Sequence, residues 1–379
     1  MTRANVALVA VATLLFATGA NAQETAETYF RQYSEALAAG DLSTAEAAAA
    51  NALTASTQRD GRGGHTAALA LNLARARLQL GQWRQARAPA LLAYELSHAS
   101  PPATAVDPVM SELLWGRVRV ETEGFAGADF LSDSLDRAES RADLLGDRYD
   151  AANHLGLWAV QSHNYIVARR AWALAADAAQ GAPYDTAFAR GRARAYEGIA
   201  IALQSLTRDP VMSAIVARQV RERLSEAHTL VRPFAFNAAQ AGEVTAPHEV
   251  YSQILAWEAA IWSRMASDNP ARQDDDRVRA NITSIGAVPV CTIRRTEGRR
   301  PVFSADQVRR GGLGSVVVRL RFADDGDFLG AEVVASVGDE AFVRDVSAAA
   351  ASWDYTVEIA NGCTVLPVLY VPVTFYFRE

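Results

Sequence analysis

The chain has 379 residues, half of them hydrophobic, and a formal net charge of −6. That length supports two domains with cores of their own, and that composition excludes a globally disordered chain. The acidic balance argues against a nucleic-acid binder as a whole. The Lys/Arg class consists of Arg alone, which reads as coding bias.

The N-terminus has the layout of an export signal. Arg3 supplies the positive end, Ala4 to Gly19 is apolar and rich in small residues, and Ala20-Asn21-Ala22 forms a small-x-small cleavage site before Gln23. A signal peptide is therefore expected over residues 1–22, with a periplasmic mature chain. The apolar run is shorter than the roughly 20 residues that span a bilayer. Left uncleaved, the segment would instead anchor the chain in the inner membrane, facing the periplasm. The rest of the sequence offers no membrane span.

Residues 23–266 read as an all-α repeat domain. Apolar positions recur three and four apart, and Gly and Pro fall mainly at breaks. Four turns align: Gly40-Asp41-Leu42-x-x-Ala45, Gly81-Gln82-Trp83-x-x-Ala86, Glu123-Gly124-Phe125-x-x-Ala128 and His163-Asn164-Tyr165-x-x-Ala168. Their alanines are 41, 42 and 40 residues apart. A weaker fifth copy is Asp209-Pro210-Val211-x-x-Ala214. In each, Gly or Asn lets the chain leave a helix in a left-handed conformation. The bulky residue is expected to fill the crevice between the helices, and the small Ala to let them approach closely.

These turns resemble the tetratricopeptide turn. So do the bulky-Gly pairs Trp115-Gly116 and Leu155-Gly156 and the run Ala168-x-x-x-Trp172-x-x-Ala175. The resemblance implies a solenoid whose helices are longer than in the usual repeat of about 34 residues. It maps groove-facing positions onto Arg75, Gln79, Arg117, Glu121, Asn153 and Gln161. Those residues suit a peptide-binding surface or an ordinary solvated face.

Residues 267–281 are polar and lack an apolar stripe, so they read as a linker; Asp274, Asp275 and Asp276 are taken as part of it rather than as a metal cluster. A small α+β domain then covers residues 282–379. Val316, Val318, Leu320 and Phe322 alternate with Ser315, Val317, Arg319 and Arg321, one face apolar and the other mixed. Asp324-Asp325-Gly326-Asp327 is a hairpin turn; the ligand spacing of a calcium loop is missing. Leu329, Ala331, Val333 and Ala335 continue the alternation in a second strand. Phe342, Val346, Ala349 and Trp353 share one helical face. A last strand places Leu369, Val371, Val373, Phe375 and Phe377 on one face, and Pro367 and Pro372 mark it as an edge strand.

This β-β-α-β order, with the D-D-G turn and Ser352-Trp353, resembles the C-terminal domain of the TonB family from about Pro301 to Phe377. The resemblance implies a binding module that presents its last strand to an extended segment of an outer-membrane transporter or envelope complex. Cys291 and Cys363 both lie in this domain. In an exported protein they read as a disulfide, with two buried free thiols as the alternative.

No catalytic spacing emerges. The six His are scattered without H-E-x-x-H, there is no G-x-S-x-G elbow, and Gly311-Gly312-x-Gly314 leads into a strand rather than a helix. His154 and His163 have no nucleophile beside them and read as structural or exposed. The basic stretch Arg294, Arg295, Arg299, Arg300, Arg309 and Arg310 reads as a solvated loop or as a patch for an acidic protein, peptidoglycan or a lipid headgroup. The expectation is a non-enzymatic interaction protein without metal or cofactor. The alternatives are a tetratricopeptide scaffold unrelated to energised transport and, as an outsider, an envelope hydrolase.

Overall fold

A computed structural model describes residues 20–63, 65–99, 106–182, 186–208, 212–238, 245–268, 284–285, 288–301, 314–338, 340–360 and 362–374. It divides into two compact units, before and after about residue 183. Segment 269–283, most of the expected linker, and the turn at 209–211 lie outside the described residues.

The first unit is a series of antiparallel helical hairpins: α1 (Ala20–Ala39) with α2 (Leu42–Asp60), α3 (Thr66–Gln79) with α4 (Trp83–Ser97), α5 (Pro108–Glu123) with α6 (Phe125–Arg137), and α7 (Leu145–Gln161) with α8 (Tyr165–Gly181). This is a tetratricopeptide-like arrangement. Gly40, Gly81 and Gly124 take φ of 76°, 70° and 60°, so glycine turns the chain where the repeat places it. Two of the residues that follow cap the next helix. Asp41 accepts from the Thr44 N–H at 3.0 Å, and Asn164 accepts from the Val167 N–H at 3.4 Å. The alanines of the repeat, Ala45, Ala86, Ala128 and Ala168, are all buried.

Two features depart from the sequence reading. In the fourth turn the positive φ, 56°, falls on His163 rather than on the Asn that follows. A side chain with a Cβ is disfavoured there. His163→Gly is therefore expected to raise stability by about 0.5–1 kcal/mol, read as a higher midpoint in chemical denaturation. A lower midpoint would mean that the His163 Nδ1 contact to the Tyr165 hydroxyl, at 2.9 Å, outweighs the strain. The second departure is Phe125. It does not fill an interhelical crevice but is 61% exposed, packed edge-on against Trp158 with ring centroids 5.3 Å apart.

The bulky-Gly pairs act through close approach. A Cβ on Gly116 would sit 2.7 Å from Leu131 Cδ1, and one on Gly156 would sit 2.5 Å from the Trp172 ring. Glycine thus lets α5 lie on α6 and α7 on α8, with Trp172 fully buried.

The second unit begins with α9 (Ala187–Leu206), α10 (Ala214–Ala238) and α11 (Ala246–Asp268). A short ribbon of β1 (Ser284–Ile285) and β2 (Val288–Pro289) follows. Then come β3 (Thr292–Glu297), β4 (Ser315–Phe322), β5 (Phe328–Val337), α12 (Glu340–Ala350), β6 (Asp354–Glu358) and β7 (Val368–Thr374). The sheet has order β5-β4-β7, all antiparallel, and β3 pairs with β6 in a separate two-stranded ribbon. The expected β-β-α-β order thus gains a strand on each side of its first three elements.

Both faces of β4 are buried. Val316, Val318, Leu320 and Phe322 pack with Phe342, Val346, Ala350 and Trp353 in one core. Val317 joins Val337, Val368 and Tyr370 against Tyr251, Ile254 and Leu255 of α11 in a second. The mixed face of β4 is therefore covered by α11 rather than by solvent. Ser315 donates to the Ala256 carbonyl, and Arg319, 8% exposed, pairs with Glu332.

Candidate functional site

β7 is an edge strand: among the described residues it pairs with β4 alone. The Phe322 N–H donates to the Pro367 carbonyl at 2.9 Å, which fixes the phase of the ladder. Backbone groups alternate in direction along an antiparallel strand. Leu369, Val371 and Val373, opposite Leu320, Val318 and Val316, therefore bond to β4. Val368, Tyr370, Pro372 and Thr374 turn their backbone groups to the outer edge. Pro372 stands opposite Val317 at a position where β4 needs no donor from it. The outer edge keeps its carbonyls and loses one N–H.

The side chains nominated from sequence behave differently from the backbone. Leu369, Val371 and Val373 are half-buried and pack into the core beneath α12, so their apolar row holds the sheet together. Phe375 and Phe377 lie outside the described residues. What β7 directs to its outer edge is its backbone.

The opposite face of β7 carries a buried polar seam that the sequence did not reveal. Tyr370 is 1% exposed, with its ring edge-on to Tyr251 at 5.6 Å. Burial pushes the Tyr370 hydroxyl up to about 12. Tyr251 is raised as well, mainly by burial, and its hydroxyl meets His228 Nε2 at 3.3 Å. His228 Nδ1 in turn meets Glu258 at 2.7 Å.

His248, 2% exposed, accepts the Thr245 N–H at Nδ1, 3.0 Å away. Burial first, and the Arg319 guanidinium second, hold its imidazole below the ordinary range. The unfolded chain restores ordinary histidine behaviour, so acid favours unfolding. Stability is full above the unfolded value of about 6.5 and falls as pH drops below it, levelling off beneath the folded value. The denaturation midpoint of the second unit is expected to fall between pH 7 and pH 5, and less so in His248→Gln. Equal losses in the two proteins would contradict this role for His248.

In the first unit, several nominated groove residues are brought together, but mostly with one another's neighbours. Arg75 of α3 reaches Asp147 of α7 at 2.6 Å, Arg117 of α5 lies 3.8 Å from Asp150, and Glu121 meets His154 Nε2 at 3.1 Å. His154 also stacks on Trp83, with centroids 4.7 Å apart. Burial lowers the Arg117 guanidinium, while Asp150 and Asp147 oppose the shift; an Arg remains charged under such shifts. Asn153 is half-buried, and Gln79 and Gln161 are exposed. The charges of this surface are thus matched inside the unit.

Cys291 and Cys363 form a disulfide with Cα atoms 5.0 Å apart. It stands beside a parallel bridge between Val290 and Thr364, where the Cys291 N–H donates to the Thr364 carbonyl at 2.9 Å. The bond ties the approach to β3 to the segment that leads into β7. Among the described residues no group of three or more His, Cys, Asp or Glu is placed to hold a metal, and no helix is long and apolar enough to cross a membrane.

No protein-family model matches the chain, and no curated protein matches it. Among solved structures, a tetratricopeptide repeat protein from Parabacteroides merdae is similar at 14% identity, with a TM-score of 0.31, over 66% of this chain and 89% of its own.

Proposed function

We propose that this chain is an exported, non-enzymatic interaction protein whose β7 outer edge takes up an extended segment of an envelope partner by strand addition. The observation that carries the reading is the position of β7 at the end of its sheet, where among the described residues it ladders with β4 alone, in the phase set by the bond from Phe322 to Pro367. Strand addition draws affinity from backbone hydrogen bonds, so it asks little of side chains. The inward packing of Leu369, Val371 and Val373 is compatible with that. The resemblance of Gly314–Phe322, the Asp324-Asp325-Gly326-Asp327 turn and Ser352-Trp353 to the TonB C-terminal domain supplies the partner class, an outer-membrane transporter or envelope complex. Binding, rather than energy coupling, is what the reading claims.

The full chain, immobilised and exposed to detergent-solubilised envelope, is expected to enrich an outer-membrane transporter. Enrichment of soluble periplasmic proteins alone would favour a second reading, a periplasmic scaffold working through the helical hairpins. The exposed Phe125 against Trp158 is the observation behind that second reading. Phe125→Ser would then abolish the enrichment.

A further inference from the structure

The arginine-rich segment 292–300 plays no part in the reading above. Arg294 and Arg295 lie on β3, which pairs with β6 alone among the described residues. β3 is exposed along its length except for half-buried Ile293, which packs with Tyr355 and Val357. Among the described residues its outer edge is a second strand edge without a ladder partner.

The arginines here are arranged by their surroundings. Arg294 pairs with Glu358 at 3.1 Å, both largely exposed. Such an exposed pair contributes little and exchanges readily. The Arg295 guanidinium lies over the Trp353 ring, 5.6 Å from its centroid, in cation–π range. Such a contact through the ring face uses none of the guanidinium N–H donors, which suit a carboxylate. Trp353 Nε1 donates to the Arg299 carbonyl at 3.0 Å, and Arg299 Nη2 donates to the Ala348 carbonyl at 2.9 Å. Gly298, at φ 115°, presses on the same ring; a Cβ there would sit 2.5 Å from Trp353 Cδ1. Trp353 therefore holds both the end of β3 and the guanidinium of Arg295.

We infer that the outer edge of β3 takes an extended acidic peptide, its backbone pairing with β3 and its carboxylates meeting Arg294 and Arg295. Residues 292–300 hold four arginines and one carboxylate, Glu297. Asp354 and Glu358 belong to β6, one strand farther from the open edge. The geometry also separates a peptide from a flat anionic surface. Adjacent strand residues point to opposite faces, so Arg294 and Arg295 flank the edge from both sides. A membrane would engage one face, whereas a strand added in the plane of the ribbon brings side chains to both.

The test is fluorescence anisotropy of the full chain with a labelled, capped peptide of threonine and valine carrying a central glutamate pair. Binding is expected and should be lost at high salt. It should fall at least tenfold when lysines replace the glutamates, when alternate peptide nitrogens are methylated, or in the chain with Arg294→Gln and Arg295→Gln. Thr374→Pro, which alters the β7 edge, should leave it unchanged. Absence of binding, or loss of binding in Thr374→Pro, would overturn the assignment to β3. So would indifference to peptide N-methylation. Vesicles of anionic phospholipid that bind the wild type and not the double Arg variant would replace the peptide with a lipid surface.

Discussion

Replacing both cysteines, Cys291→Ser with Cys363→Ser, is expected to lower the stability of the second unit by about 4 kcal/mol. The bond joins residues 72 apart in sequence. In the chain-entropy account, a loop of that size restricts the unfolded ensemble by about that amount. The folded state keeps its backbone bridge in the variant, because the bonds from Cys291 N–H to the Thr364 carbonyl and from Thr364 N–H to the Pro289 carbonyl use no sulfur. The loss should therefore appear in the equilibrium without a change of fold. Urea denaturation followed by circular dichroism, with and without reductant, provides the check. The oxidised wild type should show the higher midpoint, and the variant should be insensitive to reductant. Coincident curves for wild type and variant would contradict a stabilising bond.

Gly127→Ala is expected to destabilise the first unit by about 3 kcal/mol, at the upper end of ordinary overpacking. Gly127 lies near the start of α6, against the last turns of α5. A Cβ there would stand 2.2 Å from both the carbonyl carbon and oxygen of Arg119, and 2.4 Å from the Val120 nitrogen. All three are backbone atoms within α5 and have no rotamer by which to yield. Relief requires α5 and α6 to move apart, which loosens Val120 and Ala128, both buried between them. Gly181→Ala is the natural control. Its Cβ would meet only the Leu145 methyl groups at 3.3 Å, which can rotate away. Thermal unfolding should separate the two variants by several degrees or more. Equal melting temperatures would show that the α5–α6 contact is softer than its geometry implies.

The repeat was legible because its turn chemistry is local. Gly40, Gly81 and Gly124 turn the chain, and Ala45, Ala86, Ala128 and Ala168 are buried where the spacing placed them. His163 was not legible as the positive-φ residue, because nothing in its side chain announces that conformation. β4, β5 and α12 were readable from period-two and helical patterns. β6 was missed because Asp354-Tyr355-Thr356-Val357-Glu358 is short and half-exposed, and it pairs with β3 from far upstream.

The larger omission was the second face of the sheet. Ser315, Arg319 and Tyr370 give it a polar look that sequence patterning assigns to water. The structure gives these residues partners outside their own strand, such as Ala256 for Ser315 and Glu332 for Arg319. The candidate site was legible as a strand and as an edge, through Pro372, but not in its phase. That phase depends on pairing with β4, and it puts the outward backbone groups on Val368, Tyr370 and Thr374 rather than on the nominated Leu369, Val371 and Val373.

Phase also selects the substitution that probes strand addition. The Val373 N–H serves the ladder to β4, so a proline there would damage the sheet itself. The Thr374 N–H points to the outer edge, opposite Ser315 across a pair that needs no bond between them. The most direct measurement is the affinity of wild type, Thr374→Ala and Thr374→Pro for the envelope partner that the wild type captures, with thermal stability recorded for each. Strand addition predicts that Thr374→Ala binds as wild type does and that Thr374→Pro binds at least tenfold more weakly with its melting temperature retained. Undiminished binding by Thr374→Pro would contradict the use of the β7 edge.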